Sequence, residues 1–274
     1  MSRILRAPPP LETGCAVVKL GGGLITVDGA DGPRADRVLL LERARELAAA
    51  GRPLVLVHGT GAFGKPPARH YGYLDGRLAR GRADVVARVS RDLARLELDV
   101  VDCLEQGGLR PLRLPALALF SAQNGLAAAL DCRMVADLLR HGITPVIGGN
   151  FVLDGEGFAV CSSDIIAVDV ALALRAACLV LATRARGVYR DYGQSEAIYP
   201  QLTPEDGEAL AGIGRAGLDV SGGMRAKVVN GLRAAGHGIA TFVVDGRLPG
   251  NLAKTLSGAP DSGTRLLASA GIGG

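Results

Sequence analysis

Three apolar runs in this sequence each end at glycine or directly before it, and this feature constrains the fold most. The runs are AVVKL at 16–20, PLVLVHG at 53–59 and ITPVIGG at 143–149. Continuous apolar runs of this length are typical of strands that are buried on both faces of a parallel sheet. Because such sheets bind ligands at the carboxyl ends of their strands, the glycines mark a candidate site.

Helical patterns separate these runs along the chain. The sequence predicts helices near 36–50 and 81–106 and from 164 and 222, strands CLVLAT (178–183) and ATFVVDG (240–246), and a hairpin around Asp154-Gly155. Strands that alternate with helices indicate an α/β protein with a mostly parallel sheet covered on both faces. The helix over 164–177 is apolar on almost every side, so we expect it to be buried.

The predicted domain organisation is simple. Residues 1–14 contain two arginines and a proline triplet and are expected to form a disordered arm. Residues 15–274 are expected to form a single domain with a soft boundary near 160–180, which separates an N-terminal lobe of about 15–175 from a C-terminal lobe of about 176–274.

Composition excludes several classes of protein. The 274 residues are 48% apolar and 21% charged with a formal net charge of +4, as in ordinary globular proteins. No apolar run approaches the ~18 residues of a membrane span, and the N-terminus lacks the apolar centre of a secretory signal. We therefore expect a cytoplasmic protein with no membrane partner. A low aromatic content without a basic cluster also argues against a nucleic-acid partner.

Cysteine and histidine spacing gives no metal motif. The five cysteines are widely spaced without a CxxC pair, so we expect buried free thiols. The four histidines have no HExxH-like spacing, and no metal-ligating residues are predicted.

The segment 59–65 spells two familiar phosphate-binding patterns, and we expect both to fail. GTGAFG matches GxGxxG, and the same glycines with Lys65 match Walker A up to its last position, which is Pro66. Proline disfavours helical angles at the residue before it, so we expect no helix to start after Gly64. A Rossmann dehydrogenase and a P-loop kinase are therefore disfavoured.

A distributed anion site remains. Only four of the 31 basic residues are lysines, yet Lys19 precedes a glycine triplet and Lys227 follows a glycine pair. Asp164 opens the apolar helix. Two ammonium groups, an acid that orients them and glycine-lined loops are what phosphoryl transfer requires. Each residue also has a plainer interpretation: Lys19 as a solvated lysine at a strand end, Asp164 as an acid that complements a helix dipole, and Lys227 as a surface lysine of a helix.

At this point the sequence resembles the amino acid kinase superfamily, and within it the isopentenyl phosphate kinases and the related fosfomycin kinases. The resemblance covers about residues 16–266 and rests on VKLGG (18–22), VHGTGAFG (57–64), SDI (163–165), DVSGGMRAK (219–227) and GT (263–264). It implies a three-layer α/β/α sandwich, commonly a homodimer, with the acceptor in the N-terminal lobe and the nucleotide in the C-terminal lobe.

The resemblance also implies roles for individual residues. Lys19 and Lys227 would contact the phosphoryl group in transfer, and Asp164 would orient them. The nucleotide, ATP with Mg²⁺, would lie against Gly21, Gly22, Gly23, Thr183, Gly187, Gly222, Gly223 and Met224. The acceptor, a small phosphorylated or phosphonate compound, would lie against Gly59, Thr60, Gly61, Lys65, Gly149 and Asn150.

The sequence departs from the family pattern at four places. Lys65 stands where the isopentenyl phosphate kinases have a histidine, and Asp28 stands where they have a lysine. The TDVDG motif reads TRARG at 183–187, and the GD of the acceptor loop reads Gly149-Asn150. Three interpretations are open: Lys65 compensates for the lost histidine and for the charge lost at Asp28, the acceptor has changed, or the site is inactive.

The sequence thus predicts a kinase that makes a diphosphate from an organic monophosphate. The alternatives are a kinase for a phosphonate or another small anion, and a non-catalytic binding protein on the same fold. The acceptor tail is not specified: Val85, Val86, Val89 and Leu93 either line an isoprenoid pocket or pack the core, and core packing is the simpler expectation.

Overall fold

The computed structural model describes residues 4–6, 14–124, 126–155, 157–191, 195–206 and 223–269. An eight-stranded sheet forms their centre. Its strands, numbered along the chain and given in spatial order, are β14 (Gln201–Leu202), β16 (Gly263–Leu266), β15 (Ala240–Asp245), β13 (Cys178–Thr183), β2 (Ala16–Leu20), β5 (Leu54–His58), β10 (Thr144–Gly148) and β7 (Pro111–Arg113). All neighbours are parallel except β15 and β16.

Two smaller sheets flank the central one. The larger has the order β1 (Ile4–Arg6), β9 (Leu126–Asp131), β8 (Phe120–Gln123), β11 (Asn150–Asp154), β12 (Gly157–Cys161) and β6 (Arg77–Ala79). The smaller is the hairpin of β3 (Thr26–Gly29) and β4 (Gly32–Ala35). The predicted hairpin at Asp154-Gly155 is confirmed, because β11 and β12 pair in antiparallel fashion.

Helices complete the described fold. They are α1 (Gly22–Ile25), α2 (Arg37–Ala49), α3 (Lys65–Tyr71), α4 (Ala83–Gln106), α5 (Ala116–Leu119), α6 (Arg133–Arg140), α7 (Ser163–Leu174), α8 (Gly223–Ala235) and α9 (Asn251–Leu256), with 3₁₀ turns at Gly61–Phe63 and Arg80–Arg82. Among these helices, none combines the length and the apolar composition that a bilayer span needs.

The central sheet separates two hydrophobic cores. On β2, Val18 and Leu20 join the core of α2, α4 and α9, whereas Val17 joins the core of α6, α7 and α8. Successive side chains of a strand point to opposite faces, so β2 contributes to both layers. This arrangement confirms the α/β/α sandwich with a mostly parallel sheet. The prediction that α7 is buried is also confirmed, and all five cysteines are buried free thiols.

Two expectations about the N-terminal half differ from the structure. Three residues of the expected disordered arm, Ile4–Arg6, form a strand that pairs with β9, whose edge offers free backbone groups; Gly14 is also described, and the rest of 1–14 lies outside the described residues. The expectation that no helix follows Gly64 is wrong, because α3 begins at Lys65 with Pro66 and Pro67 in its first turn. Proline is tolerated there because the first-turn N–H groups have no partner within the helix.

The predicted division into lobes does not interrupt the sheet. β13, which follows the expected boundary, pairs along its length with β2 from the N-terminal half. The carboxyl ends of both strands therefore meet at one edge, where the candidate site lies.

Candidate active site

Three charged side chains from distant parts of the chain meet at the carboxyl edge of the central sheet. Lys19 lies near the end of β2, Asp164 lies in the first turn of α7, and Lys227 lies one turn into α8. The Nζ atoms of Lys19 and Lys227 donate to the same oxygen, Oδ1 of Asp164, at 2.9 and 2.6 Å. The three residues that the sequence analysis singled out are thus brought together.

Local structure explains how the carboxylate is held. The Ser162 hydroxyl caps α7 by accepting a hydrogen bond from the Ile165 N–H at 3.5 Å. Asp164 follows directly in the first turn, where the helix dipole favours a negative charge. The position of α7 across β2 and β5 therefore fixes the carboxylate over the end of the sheet.

Burial and mutual charge perturb this cluster. Desolvation, followed by the positive charge of Lys227, lowers the pKa of Lys19 to about 7, although Asp164 opposes this shift. Burial alone would raise the pKa of Asp164, but the two ammonium groups outweigh burial and lower it below its usual range. One ionised carboxylate is therefore shared by two lysines in a poorly solvated site, which leaves excess positive charge for an anionic ligand.

The cluster forms part of the wall of a cavity of about 1080 Å³. Most of the other predicted site residues line the same cavity: Gly21, Gly22, Gly23, Gly59, Thr60, Gly61, Lys65, Gly149, Asn150, Thr183, Gly223 and Met224. Gly187 is buried beside it, with Thr264 Oγ1 at 2.8 Å from the place a Cβ would take. Gly222 lies outside the described residues.

The glycine loops after β2 and β5 contact each other backbone to backbone. A Cβ on Gly22 would lie 2.1 Å from the Gly61 nitrogen, and a Cβ on Gly59 would lie 2.3 Å from the Gly22 nitrogen. Thr26 bridges the two loops, because its hydroxyl donates to the Gly22 carbonyl at 2.8 Å and accepts from the Ala62 N–H at 3.0 Å. The sequence motifs indicated only ligand contact for these glycines, and no motif marks Thr26.

Part of the cavity wall is apolar. Tyr73, Val89, Leu93 and Phe151 line it, and all four side chains are largely buried. The rings of Tyr73 and Phe151 pack edge to face with their centroids 5.1 Å apart. Val89 and Leu93 therefore contribute to both the cavity and the core, while Val85 lies within the core and Val86 packs against it.

Four cationic side chains and the carboxylate of Asp191 also line the cavity. Lys65 and Arg69, one helical turn apart on α3, both line the cavity, as do Arg184 and Arg190 on the segment after β13. Asp28, where the family has a lysine, is exposed in β3 and is absent from the lining residues. Sequence analysis noted Lys65 and Arg184 but missed Arg69, which no motif marks.

The described residues contain no cluster of three or more His, Cys, Asp or Glu side chains that could hold a metal ion. Mg²⁺ typically keeps several waters and binds substrate phosphates with few protein ligands. The carboxylates among the described residues that line the cavity are those of Asp164 and Asp191.

Comparisons with known proteins agree with this geometry. The model of the amino acid kinase family matches residues 14–245. The isopentenyl phosphate kinase of Methanothermobacter thermautotrophicus is 28% identical over 264 residues, which cover 91% of this chain and 98% of that protein. The acetylglutamate kinase of Sorangium cellulosum is also 28% identical, over 95% of this chain and 97% of its own length. A crystal structure of an isopentenyl phosphate kinase superposes with a TM-score of 0.79 at 25% identity, covering 92% of this chain and 99% of the other.

Proposed function

Because the chain belongs to the amino acid kinase family, it is a phosphotransferase, and we propose that it transfers the γ-phosphoryl group of ATP to a small organic monophosphate with an apolar tail. The observation that carries the proposal is the pair of lysines on one carboxylate oxygen, in the wall of a cavity that also has an apolar part. A cationic site next to an apolar one suits an acceptor with a phosphate head and a hydrocarbon tail.

The chemistry follows from charge. In the transfer, an oxygen of the acceptor phosphate bonds to the γ-phosphorus, the bond from that phosphorus to the β-γ bridging oxygen breaks, and ADP leaves. The ammonium groups of Lys19 and Lys227 would stabilise the negative charge on the γ-phosphoryl oxygens, and Asp164 would hold both groups in place. A bound Mg²⁺ supplies further neutralisation of the nucleotide phosphates.

No general base is required in this proposal. The acceptor oxygen is already anionic at neutral pH, so no proton has to leave it. The histidine beside the acceptor loops agrees with this proposal, because His58 is buried and burial lowers its pKa to about 4, which makes it a weak base. Backbone N–H groups of the glycine loops and the cation of Lys65 would hold the acceptor phosphate.

The apolar wall favours a hydrocarbon tail over the alternatives. Tyr73, Val89, Leu93 and Phe151 offer no charged group to a carboxylate such as that of an acyl amino acid. A small phosphonate would leave much of this wall uncovered. Burial of a tail stabilises the complex by about 0.8 kcal/mol per methylene group, so an acceptor that fills the wall is preferred.

An ADP-release assay with a panel of acceptors tests the proposal. Isopentenyl phosphate, dimethylallyl phosphate, fosfomycin and N-acetylglutamate would each be offered with ATP and Mg²⁺. We expect turnover with the prenyl monophosphates and none with N-acetylglutamate. Turnover with fosfomycin alone would favour the phosphonate alternative, and thermal stabilisation without turnover would favour a binding protein.

Two matched lysine variants separate the site from background activity. Lys19→Met removes an ammonium group from the cluster and should abolish turnover. Lys254→Met removes an exposed lysine of α9 that pairs with Asp261 in the loop after this helix. This variant should retain turnover. The homodimer expected from the family resemblance stays a prediction, which the molar mass from light scattering tests.

A further inference from the structure

The acceptor loop between β10 and β11 rests on one face of α4. Ser90 and Glu97 are seven residues apart on this helix, so they lie two turns apart on the same face. The Ser90 hydroxyl donates to Oδ1 of Asn150 at 3.0 Å, and the Phe151 N–H donates to the same oxygen at 2.8 Å. The Asn150 side chain is thereby held at the place where the loop enters β11.

Glu97 is a buried acid beneath the same loop. Its side chain is 5% exposed, and its Oε2 accepts a hydrogen bond from Arg113 of β7 at 2.8 Å. Its Oε1 lies 2.9 Å from the place that a Cβ on Gly148 would take, and the His58 ring lies 2.8 Å from that place. The carboxylate therefore fills space that the absence of a side chain at Gly148 leaves open.

The loop brings the Asn150 amide and the Glu97 carboxylate to the same face of α4, Asn150 through Ser90 and Glu97 beneath Gly148. Burial raises the pKa of Glu97, while Arg113 and a hydrogen-bonding interaction with the Asn150 side chain oppose that shift. An amide can present its oxygen to Ser90 and to the Phe151 N–H while its NH₂ group faces a carboxylate. An aspartate at 150 offers no such donor when ionised, so it would place two carboxylates against each other.

We propose that Glu97 is a positioning residue for phosphoryl transfer, which fixes the acceptor loop 148–150 against α4 through Asn150. The proposal rests on the proposed function, since it names what holds the acceptor side of that site.

An exchange of the two groups tests this inference. Asn150→Asp should lower kcat/KM for the acceptor about 10- to 100-fold at pH 8, the loss expected from unpaired buried polar groups, with KM for ATP little changed. The double variant Glu97→Gln/Asn150→Asp again pairs an amide with a carboxylate and should recover most of that loss. Glu105→Gln, an exposed acid on the same helix, serves as the matched control and should behave as the wild type.

The pH dependence adds a readout that loss of packing alone would not produce. In Asn150→Asp the two carboxylates would share a proton, so their apparent pKa is raised in the folded protein. The defect relative to wild type should therefore shrink when the pH falls from 8 to 6. The charged and titratable groups that face this pair are Arg113 of β7 and His58 of β5, which all variants retain.

The outcomes distinguish this inference from the proposed function. If no acceptor is turned over, the proposed function fails, but the melting temperatures of the wild type and the three variants at pH 6 and 8 still test the pairing. Asn150→Asp should then be less stable at pH 8 than at pH 6, and the double variant should be restored. A double variant as defective as the single one, or a KM for ATP that rises together with that for the acceptor, would overturn the inference.

Discussion

Replacement of Asp164 by asparagine should remove catalysis while leaving nucleotide binding intact. The carboxylate oxygen lies 2.9 Å from the Nζ of Lys19 and 2.6 Å from that of Lys227. At an effective dielectric constant of about 20, each attraction is about 6 kcal/mol before desolvation and relaxation are counted. Measured losses on breaking buried ion pairs are smaller, about 3 to 5 kcal/mol, which corresponds to roughly 10²- to 10⁴-fold in rate.

The kinetic pattern should identify the cause. With asparagine at 164, the Lys19 and Lys227 ammonium groups repel each other without compensation, so the pKa of Lys19, already about 7, should fall further. Loss of the negative charge at 164 favours ATP binding, whereas the need to protonate Lys19 opposes it, so KM for ATP should change much less than kcat. The ADP-release assay would give kcat and both KM values.

Asp169→Asn provides the matched control. Asp169 lies on the same helix, is buried and forms an ion pair with Arg233 on α8, away from the cavity lining. This variant should lose stability but keep kcat within about tenfold of the wild type. If Asp164→Asn keeps kcat within the same range, the reasoning that the shared carboxylate holds the two lysines for catalysis is refuted.

Three further predictions concern charge and packing at the site. The affinity of the free enzyme for ATP should fall as the pH rises from 7 to 9, because Lys19, whose pKa is lowered to about 7, loses its proton there; a constant affinity by nucleotide titration would contradict this. Lys65→Ala should lower kcat/KM for the acceptor about tenfold or more, as for a lost hydrogen bond to a charged group, without producing an acidic limb near pH 6.5. A marked fall in kcat/KM between pH 7 and 6 that persists in this variant would count against the role of Lys65. Gly22→Ala should lower the melting temperature by several degrees, since its Cβ would lie 2.1 Å from the Gly61 nitrogen, whereas Gly23→Ala, with nothing within 4 Å, should not. Equal melting temperatures by calorimetry would refute the backbone contact.

The order and type of the main elements were predictable because they depend on local patterns. The apolar runs at 16–20 and 178–183 match β2 and β13 residue for residue, since strands buried on both faces need continuous apolar sequence. The start of α3 was not predictable from Pro66 alone, because proline is as compatible with a first helical turn as with a loop.

The residues of the candidate site also fall into those that the sequence marks and those that it does not. Lys19, Asp164 and Lys227 stood out because glycines or a helix start accompany each of them. Glu97 and Thr26 carry no such mark: one is an acid in the middle of a long helix, and the other is a threonine in a short hairpin. Their positions depend on contacts between segments far apart in sequence, such as Glu97 with Arg113 and with the loop at Gly148.

The main-chain contact between the loops after β2 and β5 has a consequence for how such an enzyme can change its substrate. Gly22, Gly59 and Gly61 leave no room for side chains between the two loops. If the proposed function is correct and these loops hold the two reactants, backbone atoms set the separation of the reactants. The residues of the apolar wall lie outside this contact, so a volume-conserving exchange there would change the shape of the cavity and the packing behind it but not that separation. New acceptors can thus be acquired by substitutions at the wall, while the distance over which phosphorus travels stays constant.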